Sequence, residues 1–175
     1  MFYKRWLLHY VHRTAVTSFP ARPDPAAPAH RGEVFTTYPV FRRSLAIRHV
    51  DSGSCNGCES ELLLLGSPAY DLSRFGFGIT PSPRHADALM VTGVVTEAMV
   101  PQILAAHEAM PEPKLVIAVG ACALDGNVFR GAPGVIGDLA RVLPVAARIP
   151  GCPPSPNDML DTLLRVVGRE EVIRA

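Results

Sequence analysis

The amino-acid sequence predicts an α/β fold, a doubly wound and mostly parallel sheet of the flavodoxin-like type with ligand-binding loops at the carboxyl ends of its strands. Short apolar runs recur along the chain, as expected for parallel strands that are covered on both faces. Stretches with helix-start signals lie between most of these runs. Because parallel strands need crossover connections, this alternation favours a doubly wound sheet.

The strand candidates are short and rich in aliphatic residues. They cover residues 45–50, 75–79, 88–92, 115–119 and 145–149. Helices are predicted over residues 59–65, 96–110, 135–142 and 158–167. Pro101 falls near the first turn of the second helix, where proline is tolerated, and Pro133 with Gly134 precedes the third. If the strands are parallel, their carboxyl ends open on one edge, where ligands of such sheets bind.

The chain of 175 residues has the length of about one domain. Residues 1–19 form a predicted amphipathic extension, in which aromatic and aliphatic side chains alternate with cations. Residues 20–37 hold four prolines and few large aliphatics, so we interpret them as a linker. The compact domain is predicted to cover residues 38–170, followed by a short tail at 171–175.

Composition excludes several classes of function. The formal net charge of +1 provides no general attraction for nucleic acid, so no nucleic-acid partner is expected. No apolar run is long enough for a transmembrane helix, and the cationic N-terminus lacks the pattern of a secretory signal. We therefore expect a cytoplasmic protein, in which cysteines serve as metal ligands or catalytic thiols more readily than as structural disulfides.

Four cysteines are the most informative residues of the chain. Cys55 and Cys58 lie in SGSCNGCESE, Cys122 lies in VGACALDG and Cys152 lies in IPGCPPSP. Each of these three loops follows a strand candidate, so the predicted topology brings all four thiols to one pocket. Four thiolates suit an iron–sulfur cluster or zinc.

The spacing favours a cluster over the alternatives. A thioredoxin-like dithiol would use Cys55 and Cys58 and leave Cys122 and Cys152 unexplained. Structural zinc commonly uses two Cys-x-x-Cys pairs, whereas this chain has one pair and two single cysteines. Zinc and thiol redox chemistry remain open on this ground alone.

The stretch from residue 44 to about 167 resembles the small electron-transfer subunit of group 4, energy-converting nickel–iron hydrogenases, including the formate hydrogenlyase type. More distantly it resembles the B subunit of respiratory complex I. The segments that carry the resemblance are SGSCNGCESE, FGFGITPSPRHADALMVTGVVTEAM, GAC and IPGCPPSP. The resemblance implies one [4Fe-4S] cluster, bound by Cys55, Cys58, Cys122 and Cys152, and a role as an electron relay without catalytic residues of its own.

The same resemblance implies partners and a location. It implies a large subunit with a nickel–iron centre, a ferredoxin-like iron–sulfur subunit and integral membrane subunits, with this chain peripheral on the cytoplasmic side of the inner membrane. The alternative is an NADH-quinone oxidoreductase B-like subunit of a complex I related assembly without hydrogenase activity. The two residues between Cys55 and Cys58 favour the hydrogenase branch, since complex I subunits usually have adjacent cysteines there.

Several residues near the cysteines are further candidates. Glu61 matches an acidic position of the family and is a candidate proton relay, although Glu59 and Glu61 also suit a helix start without any function. By the same resemblance, Phe129, Pro153 and Pro154 are expected to shield the cluster or to shape its loop. Arg84 and His85 either contact the partner or the surroundings of the cluster, or lie in a plain solvated loop.

Overall fold

The computed structural model describes residues 32–169, which form eight strands and four α-helices. The strands are β1 (Glu33–Val34), β2 (Leu45–Asp51), β3 (Phe77–Ile79), β4 (Ala88–Thr92), β5 (Val95–Thr96), β6 (Leu115–Val119), β7 (Val135–Gly137) and β8 (Ala147–Ile149). The helices are α1 (Gly57–Leu64), α2 (Val100–Glu108), α3 (Ala121–Asp125) and α4 (Pro156–Val166). Five 3-10 turns complete the described residues.

Six strands form the main sheet in the order β1-β8-β6-β4-β2-β3. All neighbours in this sheet are parallel except β1, which pairs antiparallel with β8. Without β1, the five parallel strands follow the flavodoxin-like order in which the second strand of the chain lies outside the first. The predicted doubly wound α/β fold is therefore confirmed.

Apolar side chains fill the space on both faces of the sheet. On one face Met90 and Ile117 belong to the same buried cluster as Leu163 of α4. On the other face Leu89 and Val116 share a second cluster with Ile103 of α2 and Ala123 of α3. The central strands are buried on both sides, which explains why they are continuously apolar in sequence.

The predicted helix over residues 135–142 is wrong. Residues Val135–Gly137 form β7, which pairs antiparallel with β5, and Leu139–Arg141 form a 3-10 turn. Gly137 has a φ of +85°, a left-handed conformation that ends a right-handed helix and that glycine adopts without steric cost. The β-branched pair before it suits a strand.

The fold begins before the predicted domain boundary at residue 38. Strand β1 lies inside the predicted linker of residues 20–37 and is anchored to the core, since Arg165 Nη2 donates to the Gly32 carbonyl at 2.5 Å. The Phe35 amide also donates to the Ala146 carbonyl at 2.9 Å. The predicted extension at 1–19, the rest of the linker and the tail at 171–175 lie outside the described residues. Between residues 32 and 169, no helix has the length and apolar character needed to cross a bilayer.

Candidate metal centre

Three loops at the carboxyl ends of parallel strands bring the four cysteines together. Cys55 and Cys58 follow β2, Cys122 follows β6 and Cys152 follows β8. All four are free thiols and line one cavity of about 90 Å³. Cys55 and Cys152 are exposed, whereas Cys58 and Cys122 are partly buried. The cavity is therefore closed on the protein side and open on one side to solvent.

The first cysteine loop is held by a carboxylate at the end of β2. Asp51 Oδ1 accepts hydrogen bonds from the backbone amides of Gly53 and Ser54, both at 2.8 Å. Such an aspartate turn redirects the chain away from the strand. Asn56 then adopts a left-handed conformation with a φ of 68°, and α1 begins at the next residue. This local geometry places Cys58 in the first turn of α1.

The loop that carries Cys122 lies very close to the loop that carries Cys58, and the contact is made at Gly120. A Cβ atom on Gly120 would lie 2.6 Å from Cys58 Sγ, and the φ of this glycine is +85°. Both the contact and the conformation exclude any side chain at this position. The Ala121 amide donates to the Gly151 carbonyl at 2.8 Å, which joins the second loop to the third.

The surroundings of Cys58 and Cys122 disfavour the negative charge of their thiolates. Burial, together with the nearby Glu59 and the other three cysteines, raises the pKa of Cys58 to about 12. Burial also raises the pKa of Cys122, against a lowering by the hydrogen bond from Asn127. A positively charged metal partner favours the thiolate form of such thiols, because metal binding is coupled to release of their protons. The donor set therefore fits a metal group.

One side chain reaches two of the sulfurs. Asn127 Nδ2 lies 3.4 Å from Cys152 Sγ and 4.0 Å from Cys122 Sγ. Its backbone has a φ of 46°, and its amide donates to Asp125 Oδ1 at 2.8 Å. This residue was not predicted from the sequence. The Asp-Gly-Asn turn after Cys122 was the available signal, since asparagine is favoured in such turns.

Glu59, which directly follows Cys58, has a largely buried side chain. Thr92 Oγ1 donates to Glu59 Oε1 and lies 2.8 Å from His49 Nε2, and the same carboxylate oxygen is 3.7 Å from that nitrogen. The Glu59 side chain is only 12% exposed, and among the described residues its Oε2 atom has no hydrogen-bond partner. Burial lowers the pKa of His49.

Glu61 occupies a different position from Glu59. It is half-buried on α1 and is not among the residues that line the cysteine cavity. A proton-relay role for Glu61 therefore stays a prediction. Both glutamates suit a helix start in sequence, and only the structure distinguishes the inward one.

The remaining candidates lie at different distances from the cavity. Pro153 lines it, whereas Phe129 does not and is 47% exposed. Pro154 is buried. Arg84 and His85 are exposed in a 3-10 turn that leads into β4, so they lie at the amino ends of the strands, away from the cysteines.

The chain matches a known protein family over most of this fold. Residues 55–166 match the family described as NADH ubiquinone oxidoreductase, 20 kDa subunit. A probable membrane-bound hydrogenase subunit, mbhJ, of Pyrococcus furiosus is 47% identical over 118 residues, which are 67% of this chain and 71% of that protein. The NADH-quinone oxidoreductase B subunit of Carboxydothermus hydrogenoformans is 46% identical over 104 residues, 59% of this chain and 63% of that protein.

A solved structure supports the same relationship. A chain of the membrane-bound sulfane sulfur reductase, an archaeal respiratory membrane complex, superposes with a TM-score of 0.65 and 34% identity, covering 73% of this chain and 71% of that chain. Both branches of the resemblance found in the sequence, hydrogenase and NADH-quinone oxidoreductase, thus occur among the relatives. Since the family match includes all four cysteines and more than half of the chain, this protein belongs to the NADH ubiquinone oxidoreductase 20 kDa subunit family, a family of oxidoreductase subunits.

Proposed function

We propose that this protein holds one [4Fe-4S] cluster on Cys55, Cys58, Cys122 and Cys152 and relays electrons within a membrane-associated oxidoreductase complex. The observation that carries the proposal is the convergence of four free cysteines from three loops on one cavity. When bound, the cluster would supply one-electron redox chemistry. The chain itself supplies the thiolates, the Asn127 donor and the backbone that holds the three loops together.

The cavity favours a cluster over the two alternatives. Four cysteines line the cavity as one Cys-x-x-Cys pair and two single cysteines, whereas structural zinc commonly uses two such pairs. A dithiol role would require only Cys55 and Cys58. It gives no reason for Cys122 and Cys152 to lie in the same cavity.

The open side of the cavity suits electron exchange with a neighbouring subunit. Cys55 and Cys152 are exposed there, so a redox group bound to them would lie near the protein surface. Val128 and Phe129, which are 81% and 47% exposed, directly follow Asn127 in the adjacent loop. Exposed apolar residues beside a site are typical of a surface that a partner covers.

We assign this face to a hydrogenase-like large subunit and expect a ferredoxin-like subunit as the other electron partner. The relative from Pyrococcus furiosus is named as a subunit of a membrane-bound hydrogenase, which favours this assignment. Integral membrane subunits would hold the complex on the cytoplasmic side of the membrane. A complex I-like assembly without hydrogenase activity is the second candidate, favoured by the relative from Carboxydothermus hydrogenoformans, which is named as part of an NADH-quinone oxidoreductase.

Metal and sulfide analysis of the anaerobically purified protein tests the cofactor. We expect about four iron and four acid-labile sulfide per chain, with a paramagnetic signal of a reduced cluster at low temperature. Zinc at one equivalent, with little iron, would assign the site to structural zinc instead. Hydrogen-dependent reduction of the same signal in the intact complex separates the hydrogenase assignment from the complex I-like one.

Replacement of each cysteine tests the ligand set. We expect Cys55→Ala, Cys58→Ala, Cys122→Ala and Cys152→Ala each to remove the cluster signal, because each variant lacks one of four iron ligands. Iron content and the low-temperature spectrum provide the measurement. A variant at Cys122 or Cys152 that keeps an unchanged four-iron signal would contradict the assignment.

A further inference from the structure

A second cavity, which we name the arginine cleft, has a volume of about 890 Å³. Its lining consists of Arg42, Arg43, Ser73, Arg74, Phe75, Gly76 and Arg169. Four of these seven residues are arginines, although the whole chain has a formal charge of only +1. No acidic side chain within residues 32–169 contributes to this lining. The cleft is thus a local concentration of positive charge.

The arginine cleft lies at the opposite edge of the sheet from the cysteines. Arg42 and Arg43 precede β2, and Arg74 lies in the 3-10 turn that precedes β3, so both segments are at the amino ends of parallel strands. Strand β2 has seven residues, which corresponds to roughly 20 Å at about 3.3 Å per residue. The cleft is therefore a separate feature and not an extension of the cysteine cavity.

Phe75 positions two of the four guanidinium groups. The Arg74 guanidinium lies 4.7 Å from the centre of the Phe75 ring, and that of Arg169 lies 5.7 Å from it. Arg169 Nη1 also donates to the Phe75 carbonyl at 2.8 Å. These contacts hold cations from two distant parts of the chain beside one buried ring.

Three of the arginines have no acidic partner in the described part of the chain. The side chains of Arg42, Arg43 and Arg74 form no ion pair there. The nearby Asp71 carboxylate accepts a hydrogen bond from the Ser73 hydroxyl at 2.5 Å instead. Several guanidinium groups that converge without a counter-charge favour binding of an external anion.

A smaller cavity of about 460 Å³ shares Arg42 with the arginine cleft and has one other arginine among its described lining residues. Its other arginine, Arg165, pairs with Asp161 at 3.0 Å. Anion binding is therefore expected in the larger cavity.

We propose that the arginine cleft binds a ligand that carries phosphate groups, either a soluble phosphate compound or a phospholipid headgroup. Planar guanidinium groups bind phosphate oxygens in pairs, and arginines from three chain segments surround one space here. Among the lining residues in the described part of the chain, only Phe75 and Gly76 lack a polar side chain, so the cleft offers little to an apolar ligand. This proposal does not depend on the cluster or on electron transfer.

Calorimetric titration of the full-length protein with sodium tripolyphosphate tests the cleft. We expect saturable binding that becomes at least tenfold weaker in the double variant Arg43→Gln/Arg74→Gln. The matched control is Arg84→Gln/Arg141→Gln, which removes the same charge from two exposed arginines outside the cleft and should bind like wild type. Thermal melting establishes that both double variants are folded. If the cleft variant fails to fold, the single variant Arg43→Gln replaces it. We then expect Arg43→Gln to bind tripolyphosphate more weakly than the single variant Arg84→Gln.

A vesicle experiment separates the two sources of phosphate. Co-sedimentation with vesicles of phosphatidylcholine and phosphatidylglycerol, against phosphatidylcholine alone, measures headgroup binding. Loss of anionic-vesicle binding in the cleft variant supports a lipid source, and binding of tripolyphosphate alone supports a soluble one. The proposal is overturned if the wild-type protein shows no saturable binding to tripolyphosphate or to anionic vesicles. It is also overturned if the cleft and control variants lose binding affinity equally. Tighter binding of hexaglutamate than of tripolyphosphate would also overturn it, in favour of an acidic protein segment.

Discussion

Asn127 shows how one side chain can influence the chemistry of the cysteine site without being a ligand. Its amide nitrogen lies within reach of Cys122 and Cys152, and its positive φ suits asparagine or glycine but few other residues. Hydrogen bonds to sulfur stabilise the more negative state of an iron–sulfur cluster and so raise its reduction potential. The residue is thus positioned to tune the reduction potential of the proposed cluster.

Asn127→Gly should lower the midpoint potential of the proposed cluster by an amount on the order of tens of millivolts, because it removes the donor and keeps the backbone conformation. Redox titration followed by paramagnetic resonance provides the measurement. Asn56→Gly is the matched control, since Asn56 also has a positive φ beside the cysteines but forms no side-chain contact with a sulfur. An equal shift of the midpoint potential in Asn127→Gly and Asn56→Gly would contradict the role of the Asn127 side chain.

His49 makes the stability of the fold depend on pH. Because burial lowers its pKa below 6.5 in the folded state, the unfolded chain binds more protons as the pH falls below that value. Its contribution to stability is complete above about pH 6.5 and is lost as the pH decreases. We expect the difference in unfolding free energy between pH 7.5 and 6.0 to be smaller in His49→Gln than in wild type.

The exposed His85 provides the control for this measurement. Chemical unfolding of His85→Gln should show the same pH dependence as wild type. If His49→Gln keeps the wild-type pH dependence of the unfolding free energy, groups other than His49 cause that dependence.

At the scale of elements, the trio of His49, Thr92 and Glu59 connects two strands to a helix. His49 belongs to β2, Thr92 is the last residue of β4, and Glu59 lies in the first turn of α1 next to Cys58. The Thr92 hydroxyl contacts both other side chains, and Thr92 itself is fully buried. The trio therefore helps to fix α1, and with it Cys58, against the sheet.

Thr92→Val should destabilise the fold by about 1–3 kcal/mol, because it leaves the buried Glu59 carboxylate without its hydroxyl donor while preserving the shape of the strand. Urea unfolding measures the change. Thr92→Ser keeps the hydroxyl and should lose less stability than the valine variant. The reverse order would show that packing, and not the hydrogen bond, dominates at this position.

The elements differ in how far the sequence predicts them. The predicted runs at 88–92 and 115–119 match β4 and β6 residue by residue, because strands covered on both faces are continuously apolar. The helix predicted at 135–142 is wrong, because the pairing of these residues with β5 and the positive φ of Gly137 depend on tertiary contacts that the local sequence does not show. Glu59 and Thr92 are separated by 33 residues, so their contact has no local signal. The convergence of the cysteines, in contrast, follows from topology alone.

At the scale of the whole molecule, the sheet separates two surfaces of different chemistry. The cysteine cavity occupies the carboxyl-end edge and the arginine cleft the amino-end edge. The common direction of the parallel strands places the two surfaces at opposite edges of one sheet. Substitutions in one are therefore expected to leave the other unaffected, since distant sites act additively.

Two truncations test where the fold begins. Deletion of residues 1–31 keeps β1 and provides the reference for stability. Deletion of residues 1–37 should cost about 2 kcal/mol or more, because it removes β1, its pairing with β8 and the Gly32 contact of Arg165. Thermal and urea unfolding of the two proteins provide the comparison. If both truncated proteins are equally stable, the compact domain begins at residue 38, as predicted from the sequence.

The one-sided exposure of the cysteines constrains the order of assembly. Cys55 and Cys152 are exposed on the open side of the cavity, while the loops around Cys58 and Gly120 are packed too tightly to admit a large group from behind. Iron and sulfide for the proposed cluster would therefore enter through the same face that we assign to the large subunit. Cofactor insertion would then have to precede docking, and the docked subunit would shield the site from oxygen.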